Sequence, residues 1–327
     1  MKRPELLSRI LITAAIVGAV GAPLLLWSRT PLIHARMSEN GGWSPDVLKA
    51  EVNKPLHLQL TSDDVMHGFA VGQIDVDAVD VEPGKVTDVT LTFDKLGTYT
   101  FYCTHWCGLN HWRMRGTIEV SGSDSKPEPV SVPLYVTLNL DIDAPHDAAS
   151  IPIDKPSAIN GKQFIDQLPI TTYQVSEYYR SHSPYQVFDE LSNTMLTKSQ
   201  RWDVVASLWR SNITPEALAN GRRLYAQNCA ACHGETGAGD GVFADDLKAA
   251  GDASAQNMAG SQEMKMQTPA NFTDPARMLG ASPALLQGKI LRGGMGTGMP
   301  MWGSIITEEQ TWDLIAYLYS FQFDYEK

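Results

Sequence analysis

Cysteine is scarce. The 327-residue chain holds four, too few for a small scaffold stapled by disulfides. Positive charge is also short: 26 Lys and Arg stand against 37 Asp and Glu, a formal net charge of −11. An acidic chain repels a phosphate backbone, so no nucleic-acid partner is expected, and a basic partner protein suits it better. Charged residues make up only 19% and hydrophobic ones 43%, a globular composition that excludes wholesale disorder. Long apolar runs are rarest. The only one is ILITAAIVGAVGAPLLLW at 10–27, so the chain by itself is not a multi-span transporter or pump. As a helix this run would reach about 27 Å, against a bilayer core of ~30 Å. Lys2, Arg3 and Arg9 precede it, which puts the N-terminus in the cytoplasm and the bulk of the chain on the extracytoplasmic side. The run is longer than a signal-peptide core and no clear A-x-A site follows. A single-pass anchor over 1–36, seated in membrane lipid, is therefore expected in preference to a cleaved signal peptide.

Beyond the anchor the pattern changes twice. LHLQLTS (56–62), KVTDVTLTF (85–93), YTFYC (99–103) and GTIEV (116–120) alternate apolar and polar positions and are punctuated by EPGK and DKLG. Short strands at this spacing predict an antiparallel sandwich or barrel over 37–121. SGSDSKPEP (121–129) reads as a linker, VSVPLYVTLNLDID (130–143) as a possible strand, and 144–175 has no clear pattern. From about 176 the periodicity is helical. TKSQRWDVVASLWRS (197–211) aligns without gaps on TEEQTWDLIAYLYSF (307–321), matching at Thr, Gln, Trp, Asp, Ala and Leu. Amphipathic helices converge on shared patterns, but the Trp-Asp pair in register favours a partial duplication. On that reading 122–211 is a linker and a partly helical segment left from a degenerate copy of the domain at 212–327.

NCAACHG contains Cys229, Cys232 and His233, a C-x-x-C-H. Two thiols on one helical turn can form thioethers to the two haem vinyl groups, and the adjacent His ligates the iron. A redox dithiol needs a thioredoxin-like βαβ context and a zinc site needs a second ligand pair; neither is evident. GGMGTGMPMWG downstream offers Met295, Met299 and Met301 as a sixth ligand. The GETGAGDG loop, the Met-Pro loop and the last helix with Trp312 and Tyr317 together resemble the class I c-type cytochromes over about 214–323. That resemblance implies an all-α fold, one covalent haem c, and His233 and Met299 as its axial ligands.

CTHWCGLNHWRM supplies Cys103, Cys107, His111 and Met114, and His67 lies in DVMHGF on an earlier strand. Thiolate, imidazole and thioether form a soft set suited to copper. One Cys with two His and a Met would make a mononuclear blue site, whereas two Cys in one loop can bridge two coppers. The stretch 46–120 resembles subunit II of haem–copper oxidases. The resemblance implies a Greek-key cupredoxin sandwich carrying the binuclear CuA centre. Its side-chain ligands would be His67, Cys103, Cys107, His111 and Met114, with the backbone carbonyl of His105 completing the set. Many members of the family have Glu at that last position. The main competitor is a mononuclear copper-delivery protein with a C-x3-C motif. Those proteins place Pro after the second Cys, and here it is Gly108. His34, His57, His146 and His182 have no ligand-like company.

A CuA domain fused to a cytochrome c resembles a subunit II that carries its own cytochrome. The implied function is electron entry to a membrane terminal oxidase. Electrons would come from a soluble cytochrome or other redox protein, and pass through haem c and CuA to the haem of subunit I, where oxygen is reduced. Other membrane subunits would accompany it. Electron entry to a CuA-containing nitric oxide reductase and a free-standing membrane-tethered shuttle are the alternatives. Nitrous oxide reductase also holds CuA, but its His-rich propeller has no counterpart here.

Overall fold

The computed structural model describes residues 12–13, 30–74, 76–108, 111–122, 132–165, 168, 173, 175–249, 268–294 and 298–326. Apart from Ile12 and Thr13, the apolar run 10–27 lies outside them, as do most of the linker at 121–129 and Met295; the last part of the segment expected as anchor, up to 36, is instead strand over Leu32–Ala35, paired into a sheet. Among the described residues no helix is long and apolar enough to cross a membrane. The chain divides into two compact units, the first of strands and the second mainly of helices, which also takes in Ala70–Asp77 and Tyr99–Thr104.

Among the described residues there are nine strands. They are β1 (Leu32–Ala35), β2 (Trp43–Ser44), β3 (Val47–Glu51), β4 (Leu56–Ser62), β5 (His67–Val71), β6 (Val79–Val81), β7 (Thr87–Leu91), β8 (Gly97–Cys103) and β9 (Arg115–Ser121). One sheet has the order β2-β1-β4-β7 and the other β3-β9-β8-β5-β6. The sheets are mixed where an antiparallel arrangement was expected: β1 runs parallel to β4 and β3 parallel to β9. Each of these pairs is separated by long stretches of chain, as a parallel pair requires. The alternation read in 56–62 is realised in β4, where Leu58, Leu60 and Ser62 are buried in turn. Alternate positions of both sheets, including Ile33, Leu91, Phe101 and Ile118, form the core. β5 lies inside its sheet and is buried at every position, so His67, its first residue, is held away from water.

The helical unit contains α1 (Leu134–Thr137), α2 (Ala158–Ile165), α3 (Ser176–Ser181), α4 (Pro184–Glu190), α5 (Lys198–Ser211), α6 (Pro215–Asn228), α7 (Ala230–His233), α8 (Pro275–Gly280), α9 (Pro283–Arg292) and α10 (Glu308–Leu318). The strand expected at 130–143 is absent from its described part. Pro133 instead caps α1, and turns follow. Pro lacks the N–H a ladder needs but suits a helix start.

Two helix pairs repeat one design. α6 crosses α10 at Gly221, where a β-carbon would lie 2.0 Å from the Asp313 carbonyl oxygen. α2 crosses α5 at Gly161, where a β-carbon would lie 1.9 Å from the Asp203 carbonyl oxygen. Asp203 and Asp313 are equivalent in the 197–211 and 307–321 echo, and each Gly follows an Asn. Thr197 with Gln200 and Thr307 with Gln310 form reciprocal capping boxes on α5 and α10, each cap contributing about 1 kcal/mol. α4 and α9 likewise both begin with a capping Ser followed by Pro.

Candidate metal centre and haem cleft

His67, Cys103 and Cys107 are all buried, and their ligand atoms lie within 4.8 Å of one another. β5 and β8 are neighbours in the sheet, so His67 opens one strand where Cys103 ends the next. The loop after β8 returns Cys107, a short 3-10 turn presents His111, and Met114 precedes β9. Cys107 Sγ lies 3.1 Å from Met114 Sδ and 4.0 Å from His111 Nδ1. Trp43 Nε1 donates to the Met114 carbonyl at 3.2 Å, which ties the loop end to β2. The five side chains singled out by spacing are thus brought together, as soft donors in a dry setting. Gly108 has φ 142°, a conformation closed to proline. The loop is therefore incompatible with the Cys-Pro pattern of the delivery proteins.

His105 departs from the cluster: its Nε2 meets Asp80 Oδ1 at 2.8 Å, half-exposed. Its side chain is engaged by Asp80 of β6 and stands apart from the cluster. The four other histidines are accounted for locally. His34 pairs with Asp63, His57 with Thr90 and His146 with the Ala144 carbonyl, while His182 stacks on Tyr178 at 3.8 Å.

Sequence reasoning missed Asp64. Its Oδ1 lies 2.8 Å from His67 Nε2, so the proton sits on Nε2 and Nδ1 is the ring nitrogen suited to a metal. Burial pushes this carboxyl up. Hydrogen bonds from His67, the Met37 and Val65 N–H groups and Asn40 outweigh that and bring it to about 2. With a folded value below its ordinary 3.8, Asp64 contributes stability above that pH, and the contribution fades as pH falls through about 2. Asp64→Asn removes the negative charge that makes the imidazole basic. Copper titration of the variant is expected to show roughly 10- to 100-fold weaker binding, with the fold, read by circular dichroism, unchanged.

The second site is a cleft of about 400 Å³ in the helical unit, lined by Cys229, Cys232, His233, Leu247, Met299 and Trp302 among others. Tyr225 fixes the loop after the motif by donating its hydroxyl to the Gly234 carbonyl at 2.6 Å. His233 Nδ1 lies 3.0 Å from the Ala270 carbonyl oxygen, which makes Nδ1 the donor and Nε2 the ring nitrogen suited to ligate a metal. Burial lowers the His233 pKa, favouring the neutral imidazole that ligation needs. Burial also pushes the Cys229 thiol up to about 12. Met299 lines the cleft, whereas Met301 does not and is 56% exposed. None of the four cysteines is in a disulfide.

Residues 45–121 match the family described as Cytochrome C oxidase subunit II, periplasmic domain, and residues 218–322 match Cytochrome c. A cytochrome c oxidase subunit 2 of Thermus thermophilus is 38% identical over 79 residues, 24% of this chain and 58% of that protein. A second subunit 2 from that species is matched over 46% of its length, so the chain spans about half the length of these curated relatives. The periplasmic domain of a Bradyrhizobium japonicum oxidase subunit II is similar at 29% identity, covering 23% of this chain and 53% of that one, with a TM-score of 0.21. A purple cupredoxin from Nitrosopumilus maritimus is covered completely, over 28% of this chain, at 22% identity and a TM-score of 0.22. The chain thus carries a two-sheet β domain that matches the oxidase subunit II periplasmic-domain model and a helical domain that matches the cytochrome c model.

Proposed function

We propose that the chain is the electron-entry subunit of a membrane haem–copper terminal oxidase. It takes electrons from an external redox protein at one covalent haem c and passes them through a binuclear copper centre to the haem of a partner subunit I, where oxygen is reduced. The observation that carries this reading is the presence of two separate redox-type donor sets in one chain. One is the buried His67–Cys103–Cys107 cluster with Met114 beside it, and the other the cleft lined by Cys229, Cys232, His233 and Met299. Both groups, when bound, supply one-electron chemistry with little rearrangement.

The residues of the chain do the rest. His67, Cys103, Cys107, His111, Met114 and the His105 carbonyl would hold the copper, with Asp64 orienting His67. Cys229 and Cys232 would anchor the haem, with His233, oriented by the Ala270 carbonyl, and Met299 as its ligands. The periplasmic family match supports an extracytoplasmic location for both domains, with 10–27 as the single anchor in lipid.

Residues 157–211 are read as a haem-less copy of the cytochrome frame. The paired glycine crossings at Gly161 and Gly221 and the matched capping boxes support that reading. The sequence 157–211 includes no Cys, so intact mass spectrometry is expected to give one haem per chain, and two would refute the copy as haem-less.

The experiment for the function is purification of the tagged chain from membranes in mild detergent. Copurification of a large polytopic subunit with haem-copper active-site residues is expected. Recovery of the chain alone would leave only the tethered-shuttle reading, and a partner that reduces nitric oxide would replace oxygen as the acceptor.

A further inference from the structure

Residues 134–148 lie outside both family matches, 45–121 and 218–322, yet they are packed into the helical unit closely. The Tyr135 N–H donates to the buried Gln287 side chain of α9 at 3.2 Å. At Gly288 a β-carbon would meet Ile142 at 2.7 Å and the Tyr135 ring at 2.8 Å. At Gly280 it would lie 1.8 Å from the His146 carbonyl oxygen, and the Ala148 N–H donates to the Ala276 carbonyl at 2.8 Å. Two glycines of α8 and α9 thus leave room for this one segment.

The segment delivers a carboxylate to the haem cleft. Asp143 lines it together with Arg277, Lys289 and Arg292. Arg292, the last residue of α9, grips Asp143 with both ends of its fork, Nη1 to Oδ2 at 2.5 Å and Nη2 to Oδ1 at 2.6 Å. Three cations and one carboxylate leave this wall net positive, which suits the two carboxylates of a haem. The Asp143 side chain is 68% exposed, and a pair so exposed adds little to stability. Its electrostatic effect on a group bound in the cleft is the larger consequence.

We propose that 134–148 is a strap built onto the cytochrome domain, and that Asp143 is a positioning residue which holds the Arg292 guanidinium at the cleft wall and offsets its charge there. This rests on the haem c reading above. Removing the Asp143 charge leaves Arg292 uncompensated, which disfavours the more positive ferric state and raises the midpoint potential. Removing the Arg292 charge does the opposite.

The test is spectroelectrochemical titration of the full chain, with the covalent haem first verified by its absorption and by intact mass. Asp143→Asn is expected to shift the haem equilibrium about threefold toward the reduced form at low salt, the shift shrinking as ionic strength rises. Arg292→Gln is expected to move it toward the oxidised form, and Asp143→Glu to restore the wild-type value. Thermal melting should stay unchanged in Asp143→Asn. If Asp143→Asn and Arg292→Gln both leave the potential where it was, or shift it in the same direction, the strap does not tune the haem and the proposal fails. Absence of covalent haem from the wild type would instead overturn the haem c reading itself.

Discussion

Cys107→Ser is expected to collapse the copper centre from two metals to at most one. On the binuclear reading the wild type is expected to give the seven-line hyperfine pattern in paramagnetic resonance of one unpaired electron shared by two equivalent coppers. In the variant a four-line mononuclear pattern, or no copper signal, should replace it. The size of the effect follows from the position of the thiol. Cys107 Sγ is buried, shares its 4.8 Å cluster with His67 and Cys103, and has Met114 Sδ at 3.1 Å and His111 Nδ1 at 4.0 Å. A serine hydroxyl is a hard oxygen that stays protonated, and it does not bridge soft metals. Loss of one bridge therefore removes the shared electron rather than weakening one bond. Copper stoichiometry and the resonance spectrum of the extracytoplasmic portion of the chain check this. A four-line spectrum from fully loaded wild type would end the binuclear reading and restore the mononuclear one.

Much of both sites was legible because their ligands sit close in sequence. C-x3-C-x3-H-x2-M and C-x-x-C-H place their donors within one loop or one helical turn, so spacing alone brings them together. β4 coincides with 56–62 because one of its faces is buried and the alternation survives. Segment 130–143 carried a similar alternation and misled, because its apolar residues meet helix α9 rather than a sheet. β1 was not legible: Leu32–Ala35 begins five positions after the apolar run ends at Trp27, yet it pairs with β4 inside the sheet, ahead of the boundary expected at 37. Asp64 and Asp143 were invisible for a different reason. A carboxylate three residues before a histidine reads as a turn residue, and Asp143 meets Arg292 across 149 positions. The echo of two helices was legible, but the Gly161 and Gly221 crossings beneath it were not. Only packing reveals why each Gly must face a carbonyl.

Met299→Leu is expected to lose the weak sulfur-to-iron absorption band and to lower the haem potential on the order of 0.1 V, axial ligands spanning about 0.8 V among haem proteins. Three methionines lie in the loop 293–303, and the choice among them is a matter of backbone. Gly298 stands at φ 78°, a turn that a β-carbon disfavours, and Pro300 fixes the chain immediately after Met299. The loop is tied to the end of α9: the Gly294 N–H donates to the Met299 carbonyl at 3.2 Å, and the Trp302 and Gly303 N–H groups donate to the Ile290 and Leu291 carbonyls. Those bonds satisfy carbonyls that a helix end otherwise leaves open. They hold Met299 in the lining of the cleft that contains Cys229, Cys232 and His233. Met301 is 56% exposed and outside that lining, so Met301→Leu is expected to keep both the band and the potential. Met295 lies outside the described residues, and Met295→Leu serves as the third arm. Loss of the band in Met301→Leu or Met295→Leu, with its retention in Met299→Leu, would move the sixth ligand to that residue and make the backbone argument wrong.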